Sequence, residues 1–534
     1  MSNESRKKFL GELLKEKGLI TDGHIKFAMQ DQKITKEKMG EILVRLSFVT
    51  EYDVAATLSE QTGIPYLDVD GISPPEDVLK LFNKTLCLNH AFLPIGIEDG
   101  FIKVASLNAS NPSLGQLIAR QCGLRPRFYL SENTKTLNAI HKSYYFLENP
   151  IEKLIETEVN LLAHDTEMAR GMDNLVRHIL HLAVKMRTTD IHIRPMERAT
   201  NIAFRIDGVM TSVLSLPANF SRVVSSLKMK ADMDIAEQRL PQDGRFSATI
   251  LNNDYDFRVS TTVSPHGENM VLRVLPKESA VMGMGQLGFF DKHIEKVEKM
   301  FNLNLLEKNV LTVEDPIEYN IPLLRQTQVN AKAGYTFANA IRYFLRHDPD
   351  VILLGEIRDA ETAATAVTAS ATGHMVLSTL HANNAVGAIP RLRDLGIKSF
   401  LIADCLIGVV SQRLARRICN KCKEAYVPDE LEKAYLRDPS IDKLYRGRGC
   451  DVCNGSGYFG RTLVYELLSV DKELSQLIAQ EAELSVITEN AKHSGFVDIF
   501  DVTVAKVKQG VTAAEEAMRV LGHLRHSGPE APRA

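Results

Sequence analysis

Carboxylates, a histidine and their spacing single out residues 309–384. Three short apolar, β-branched runs lie there: 309–314 (NVLTVE), 350–356 (DVILLGE) and 374–380 (HMVLSTL). Each ends in groups suited to polar chemistry: Glu314 with Asp315, Glu356 followed by Arg358 and Asp359, and His381. Near-continuous apolar runs of this length are the pattern of strands buried in a parallel sheet, which presents functional groups at the C-terminal ends of its strands. Carboxylates so placed can hold a divalent cation and activate water. A histidine at the next strand end can sense a phosphate or polarise the attacking water. Residues 360–372, rich in Ala and Thr, predict the helix between the second and third strands, with Asp359 as N-cap and Gly373 just past its end.

Two further groups of residues carry chemistry. Cys419-x-x-Cys422 is followed, after 27 intervening residues, by Cys450-x-x-Cys453. Four thiolates in two such pairs suit a closed tetrahedral Zn²⁺ site, structural because no ligand position is left open. Arg205, Arg239, Arg245, Arg258 and Arg273 fall beside turns in a region of short strands at 190–194, 201–206, 245–250 and 255–260. Arginines at strand ends suit phosphate oxygens, and Arg245 and Arg258 are the best candidates.

The whole chain must position these groups. Its 534 residues are too many for one core, which implies three or four domains. With 44% hydrophobic and 25% charged residues the composition is that of a soluble globular protein, and a net charge of −3 gives no electrostatic case for nucleic acid. The longest apolar stretch, 400–410, is interrupted by Asp404 and too short to span a bilayer. The N-terminus lacks the apolar core of a secretory signal, so the expected compartment is the cytoplasm, where paired cysteines suggest metal rather than disulfides. Cys87, Cys122 and Cys405 read as small core residues, and the tail from 527 as disordered.

An internal repeat with an offset of 29 residues opens the chain. Leu10, Gly11, Leu14, Ile25, Met29 and Gln32 recur as Met39, Gly40, Leu43, Val54, Leu58 and Gln61. The apolar positions have helical spacing, so each copy predicts a helix pair, broken near 18–21 and 47–50. The recurring glutamines have no place on a core face. Residues 101–107 (FIKVASL) predict a strand in a following α/β part.

An acidic pair at one strand end and a Glu at the next form the Mg²⁺- and water-activating half of a P-loop nucleotide hydrolase. The other half is a Gly-x-x-x-x-Gly-Lys-[Ser/Thr] loop that cradles the phosphates. No Gly-Lys dipeptide occurs in the sequence.

With RLPQDGR (239–245), VEDPIEY (313–319), RHDPDVILLGEIRDAETA (346–363), TGHMVLSTLHANNA (372–385) and the tetracysteine segment, the chain resembles the type II secretion and type IV pilus assembly ATPases. The repeat resembles the tandem cyclic di-GMP-binding module of some of those motors, nearest those of the mannose-sensitive haemagglutinin type. Its arginine position holds Phe9 in one copy and Lys38 in the other. The resemblance implies an α/β multidomain fold. Residues 1–148 would be the N-terminal module, 149–277 an α+β middle domain, and 278–526 a RecA-like core with a zinc insertion at 419–453. It implies that Glu314 activates water, that Asp350 and Glu356 order Mg²⁺, and that His381 reads the γ-phosphate of ATP. Arg245 and Arg258 would clamp phosphates, with Arg346 and Arg358 lining the same cleft. Leu10, Gly11, Gln32, Lys38, Gly40 and Gln61 would meet cyclic di-GMP. A homo-hexamer or mixed hexamer at the cytoplasmic face of the inner membrane, working on a platform protein, is implied as well. The family spacing places roughly 25 residues, one strand with its P-loop and two helical turns, where this chain has only 304–308.

Overall fold

The N-terminal repeat forms four helices, Leu10–Glu16, Asp22–Thr35, Met39–Arg45 and Glu51–Thr62, with breaks where the spacing predicts them. Thr21 caps the second helix through the His24 amide, and Leu14, Ala28, Leu43 and Val54 are buried. The two glutamines have a structural reason to recur. Gln32 Nε2 donates to the Glu37 carbonyl (2.9 Å) and Gln61 Nε2 to the Lys8 carbonyl (2.6 Å). Each fixes the chain just before a first helix: Gln61 for the first copy, Gln32 for the second.

The computed structural model describes residues 8–164, 169–277, 281–301 and 306–522. The junction at 303/304 and the tail from 527 lie outside the described residues. The chain divides into two compact units, one of residues 1–14, 51–280 and 450–455, the other of 15–50, 281–449 and 456–534.

In the first unit, β1 (Phe92–Glu98), β2 (Phe101–Ser106) and β3 (Arg125–Tyr129) form a small mixed sheet in that order. Its core includes Phe82, Phe92, Ile102, Ile118 and Tyr144, with Cys87 fully buried among them. A second sheet is built from β4 (Thr188–Pro195), β5 (Ala199–Ile206), β6 (Val209–Pro217), β7 (Gln242–Ile250), β8 (Asn253–Ser264) and β9 (Gly267–Pro276). It is antiparallel throughout, in the order β6-β5-β4-β9-β8-β7. One face packs on helix Ala169–Lys185 through Leu175, Val176, Ile179 and Leu182. β7 and β8 join through a two-residue turn, Leu251–Asn252, with φ of 53° and 66°, the primed geometry that matches strand twist.

At Gly244 the backbone of Ala231 comes so close that an added Cβ would lie 2.5 Å from the Ala231 carbonyl oxygen. Gly244→Ala is therefore expected to destabilise this sheet by about 1–3 kcal/mol, since the clash is with backbone. A urea titration would read it; an unchanged midpoint would show that the approach can relax.

In the second unit, β10 (Val310–Glu314), β11 (Arg325–Gln328), β12 (Val351–Ile357) and β13 (Met375–Leu380) form a parallel sheet in the order β11-β10-β12-β13. Helix Ala360–Ala371 crosses from β12 to β13, and its N-cap Asp359 accepts the Thr362 amide at 2.8 Å. The core of Leu311, Val313, Ile341, Phe344, Ile352, Leu354, Ala363 and Ala366 is shared by sheet and helices. Two long antiparallel strands, β14 (Gly408–Ile418) and β17 (Tyr458–Ser469), flank an insertion with its own strand pair, β15 (Lys423–Tyr426) and β16 (Leu444–Gly447).

Glu516 fixes a C-terminal helix to β14. Its fully buried carboxylate accepts the Arg416 amide (2.9 Å), the Arg416 guanidinium (2.7 Å) and the Arg519 guanidinium. Burial pushes this carboxyl up, but the hydrogen bonds from Arg519 and Arg416 outweigh it and leave it below the usual range. A depressed folded-state value means that ionised Glu516 stabilises the fold above the unfolded carboxylate range, near 4.3. That contribution is lost as pH falls through the folded value. Glu516→Leu is expected to cost about 3–5 kcal/mol at neutral pH by stranding Arg416, and to flatten the acid limb of a stability-versus-pH profile. An acid limb identical to that of the parent chain would contradict this assignment.

Candidate functional site

Because β10, β12 and β13 run parallel, their C-terminal ends share one edge of the sheet. Glu314 closes β10, and its Oε1 accepts from Thr312 Oγ1 (2.6 Å) and from Gln326 Nε2 (3.0 Å) on β11. Gln326 also donates to the Tyr319 carbonyl and accepts the Ile321 amide, so it ties the loop after Glu314 to the sheet. Glu356, near the end of β12, receives Arg358 Nε at 2.6 Å and lies 3.8 Å from His381 Nε2. Its side chain is 19% exposed, against 82% for His381, so a half-sheltered carboxylate stands beneath an open imidazole. Gly355 makes the close packing possible: a Cβ there would lie 3.2 Å from the Phe337 ring and 3.3 Å from the Val313 carbonyl oxygen.

The loop carrying His381 is held from behind. Buried Glu466 on β17 accepts the Ala385 amide at 2.6 Å, and burial raises its carboxyl above the ordinary value. Asn384 Oδ1 accepts the Gly387 amide, and Arg413 Nη2 donates to the Asn383 carbonyl. Glu466 and Arg413 escape sequence reading because each acts across a long separation from the residue it supports, and Gln326 because nothing in its local sequence marks its contact with Glu314.

Two expected members of the cleft lie elsewhere. Asp350 stands before β12, at the N-terminal edge of the sheet, six residues from Glu356 and so roughly 20 Å away along the strand. Its carboxylate accepts the Asn309 amide at 2.7 Å, and this bond is the main reason it sits below the usual range. Asp350 pins β12 to the start of β10 and cannot order a cation beside Glu356. Arg346 occupies the turn between helix Phe337–Phe344 and β12, at that same far edge, while Arg358 is at the near one.

In the antiparallel sheet, Arg245 and Arg258 face each other across β7 and β8, both exposed. Like charges placed opposite are unfavourable by themselves, and an anion bound between them would remove the penalty. Arg205 and Arg273 both reach Asp190 (3.6 and 3.1 Å), and Arg239 pairs with Glu237.

The sulfurs of Cys419, Cys422, Cys450 and Cys453 all lie within 4.8 Å of one another. The Cys450 and Cys453 sulfurs are 3.7 Å apart, close to the edge of a tetrahedron with metal–sulfur bonds of about 2.3 Å. Amides of Gly449 and Cys450 donate to the Cys422 and Cys453 sulfurs, as suits thiolates around a metal. The donor set therefore fits Zn²⁺. In the repeat, Leu10 and Gly11 start the first helix, Lys38 precedes the third and Gly40 lies within it; Gln32 and Gln61 are engaged with backbone carbonyls.

The model of the family described as "Type II/IV secretion system protein" matches residues 165–305 and 301–519. The chain belongs to this family. A second model, the MshEN domain, matches 62–149, the segment after the helical repeat rather than the repeat itself. Among similar proteins, the type II secretion system ATPase E of Vibrio cholerae is 42% identical over 377 residues, covering 65% of this chain and 74% of that protein. The type IV pilus assembly ATPase PilB of Myxococcus xanthus is 32% identical over 557 residues, covering 95% and 98%. The crystal structure of the pilus retraction motor PilT with bound ADP is similar at 23% identity, with a TM-score of 0.42, covering 66% of this chain and 96% of that one. Among the described residues no helix is long and apolar enough to cross a membrane.

For this family's nucleotide, the residues present fit one half of the task. Glu314, Glu356 and His381 suit the water and metal side. Among the described residues, no Gly-rich loop leads from a strand of this sheet into a helix with a Lys and a Ser or Thr at its start.

Proposed function

We propose that this chain is a motor subunit of a type IV pilus or type II secretion system, cytoplasmic and peripheral to the inner membrane. With a phosphate-binding loop present at the 303/304 junction, it would act in a hexamer whose RecA-like cores use Mg²⁺-ATP hydrolysis to drive pilin or pseudopilin assembly through a membrane platform protein; without that loop the same chain would turn over ATP weakly or not at all. The observation that carries this reading is the convergence of Glu314, Glu356, Arg358 and His381 on one edge of a parallel sheet in a chain of this family. Glu314, oriented by Thr312 and Gln326, is the group to take a proton from water. Glu356 and His381 act as a linked pair in which the imidazole meets the phosphate side and the carboxylate steadies it. Arg245 and Arg258 are the candidate phosphate-clamping cations of this reading. Zn²⁺ on the four cysteines fixes the insertion structurally, and cyclic di-GMP is the candidate ligand of the N-terminal module.

A second reading follows from the absent Gly-Lys dipeptide: an ATP-incompetent subunit, acting as a regulator or as a passenger in mixed hexamers. The family model matches as two segments that meet at 301–305, a feature common to both readings. The 377 aligned positions with the V. cholerae protein also exceed the residues that 65% of this chain supplies. The relative thus has positions with no counterpart here. Sequencing the source DNA and transcript across Leu303–Asn304 decides between the readings. Roughly 25 additional codons containing Gly-Lys-Ser/Thr would establish an ordinary motor; a confirmed junction leaves Glu314, Glu356 and His381 as relics.

A further inference from the structure

We infer that the outer edge of β7 and the helix beside it form a docking groove for an extended, acidic-flanked segment of a partner protein, taken up as an added strand. A cavity of about 470 Å³ lies there, lined on one side by Asp173, Arg177, Leu180 and His181 of helix Ala169–Lys185, and on the other by the five consecutive residues 246–250 of β7. Successive strand residues point to opposite faces, so a cavity touching all five lies along the strand's edge and meets its backbone.

The hairpin geometry says which backbone groups face it. Ile250 and Asn253 flank the two-residue turn and form a hydrogen-bonded pair, and pairs alternate from there. Thr249, opposite Asp254, and Ser247, opposite Asp256, are therefore in the non-hydrogen-bonded class, where side chains approach most closely. Their hydroxyls do reach those carboxylates, at 2.6 and 2.5 Å. On β7 the N–H and C=O of Ser247 and Thr249 point away from β8. β7 is the last strand of its sheet, and among the described residues no backbone group pairs with them.

An extended peptide supplies the matching donors and acceptors, as in other cases of strand addition. Its inward side chain would meet Leu180, Val176 and Phe246. The lining carries two permanent cations, Arg177 and Lys230, against one carboxylate, Asp173. Asp173 already takes Lys230 at 3.3 Å and the Ser226 hydroxyl at 3.1 Å, while Arg177 is bonded to the Asn174 amide oxygen. His181 is turned to the Arg177 carbonyl and stacked on Tyr145. The balance favours carboxylates on the segment that enters.

The test is fluorescence anisotropy with the full chain and a fluorescein-labelled Glu-Val-Thr-Val-Glu peptide. Saturable binding tighter than about 1 mM is expected. It should weaken about tenfold or more when the central amide of the peptide is N-methylated, when lysines replace the flanking glutamates, and in Ser247→Pro. Ser247→Pro removes an outward donor and no ladder bond, whereas Ser247→Ala keeps the donor and should bind normally. If Ser247→Pro fails to fold, Arg177→Glu and the N-methylated peptide on the unmodified chain carry the test. Absent saturation, or equal binding of the N-methylated peptide, overturns the proposal. So does a concentration-dependent self-association that Ser247→Pro abolishes, because the occupant is then a second copy.

Discussion

The purified chain is expected to release phosphate from Mg²⁺-ATP no faster than background. Insertion of a strand, a Gly-x-x-x-x-Gly-Lys-Ser/Thr loop and two helical turns between Leu303 and Asn304 is expected to raise turnover on the order of 10³-fold or more. The physical reason lies in what the loop does. Its backbone amides and lysine hold the phosphates and its hydroxyl completes the cation shell, whereas the remaining groups act on nucleotide already held. An arginine placed in the transition state contributes about 10³–10⁵ in rate, but only to bound substrate. In the restored chain, Glu314→Gln should then lower turnover by about 10²–10⁴, since the amide cannot take the proton from water. Asp350→Asn should act mainly on stability, because its partner is the Asn309 amide at the far edge of the sheet. A coupled phosphate-release assay reads these four chains and Glu314→Gln without the insertion. Turnover in the chain without the insertion, abolished by Glu314→Gln, would show that the carboxylate edge binds nucleotide by another route.

Metal removal should have the largest effect on stability. One zinc per chain is expected by elemental analysis after reducing purification. Chelation or Cys422→Ser should unfold the insertion between β14 and β17, because metal bound by four thiolates contributes about 10–16 kcal/mol of apparent folding free energy at neutral pH. The insertion's apolar residues Leu436, Ile441 and Leu444 form a small cluster with Val507, Ala514 and Ala517, too little to replace that. The loss should also follow acidification, since ligating thiolates must be deprotonated. Hydrogen exchange across 419–457 is the measurement; protection that survives both chelation and Cys422→Ser would remove zinc from the account. The parallel sheet, with its own core, should keep its protection.

Much of this architecture is legible in local pattern. The runs ending at Glu314, Glu356 and Leu380 become β10, β12 and β13 to within a residue or so, because β-branched apolar segments bounded by polar groups have few alternatives in a buried sheet. Asp359 caps its helix as read, and the repeat breaks where Gly18 and Ser47 adopt positive φ, at 73° and 57°. The cysteine spacing suffices to bring four sulfurs together.

Local pattern does not tell which end of a strand a residue occupies relative to the others. Asp350 sits in a motif with Glu356, but parallel pairing places them at opposite edges. Arginines at turns look alike in sequence, yet Asp190 takes two of them, while Arg245 and Arg258 stand opposite each other across one hairpin. The glutamines that no core face explained are engaged with backbone carbonyls at equivalent points of the two copies. The elements and the family are written in periodicity and motif spacing, which are local properties. Which carboxylates share an edge, that Asp190 gathers Arg205 and Arg273, and that Glu466 and Arg413 hold the His381 loop follow from the three-dimensional arrangement. Those facts depend on strand order and register, which join residues far apart in the chain.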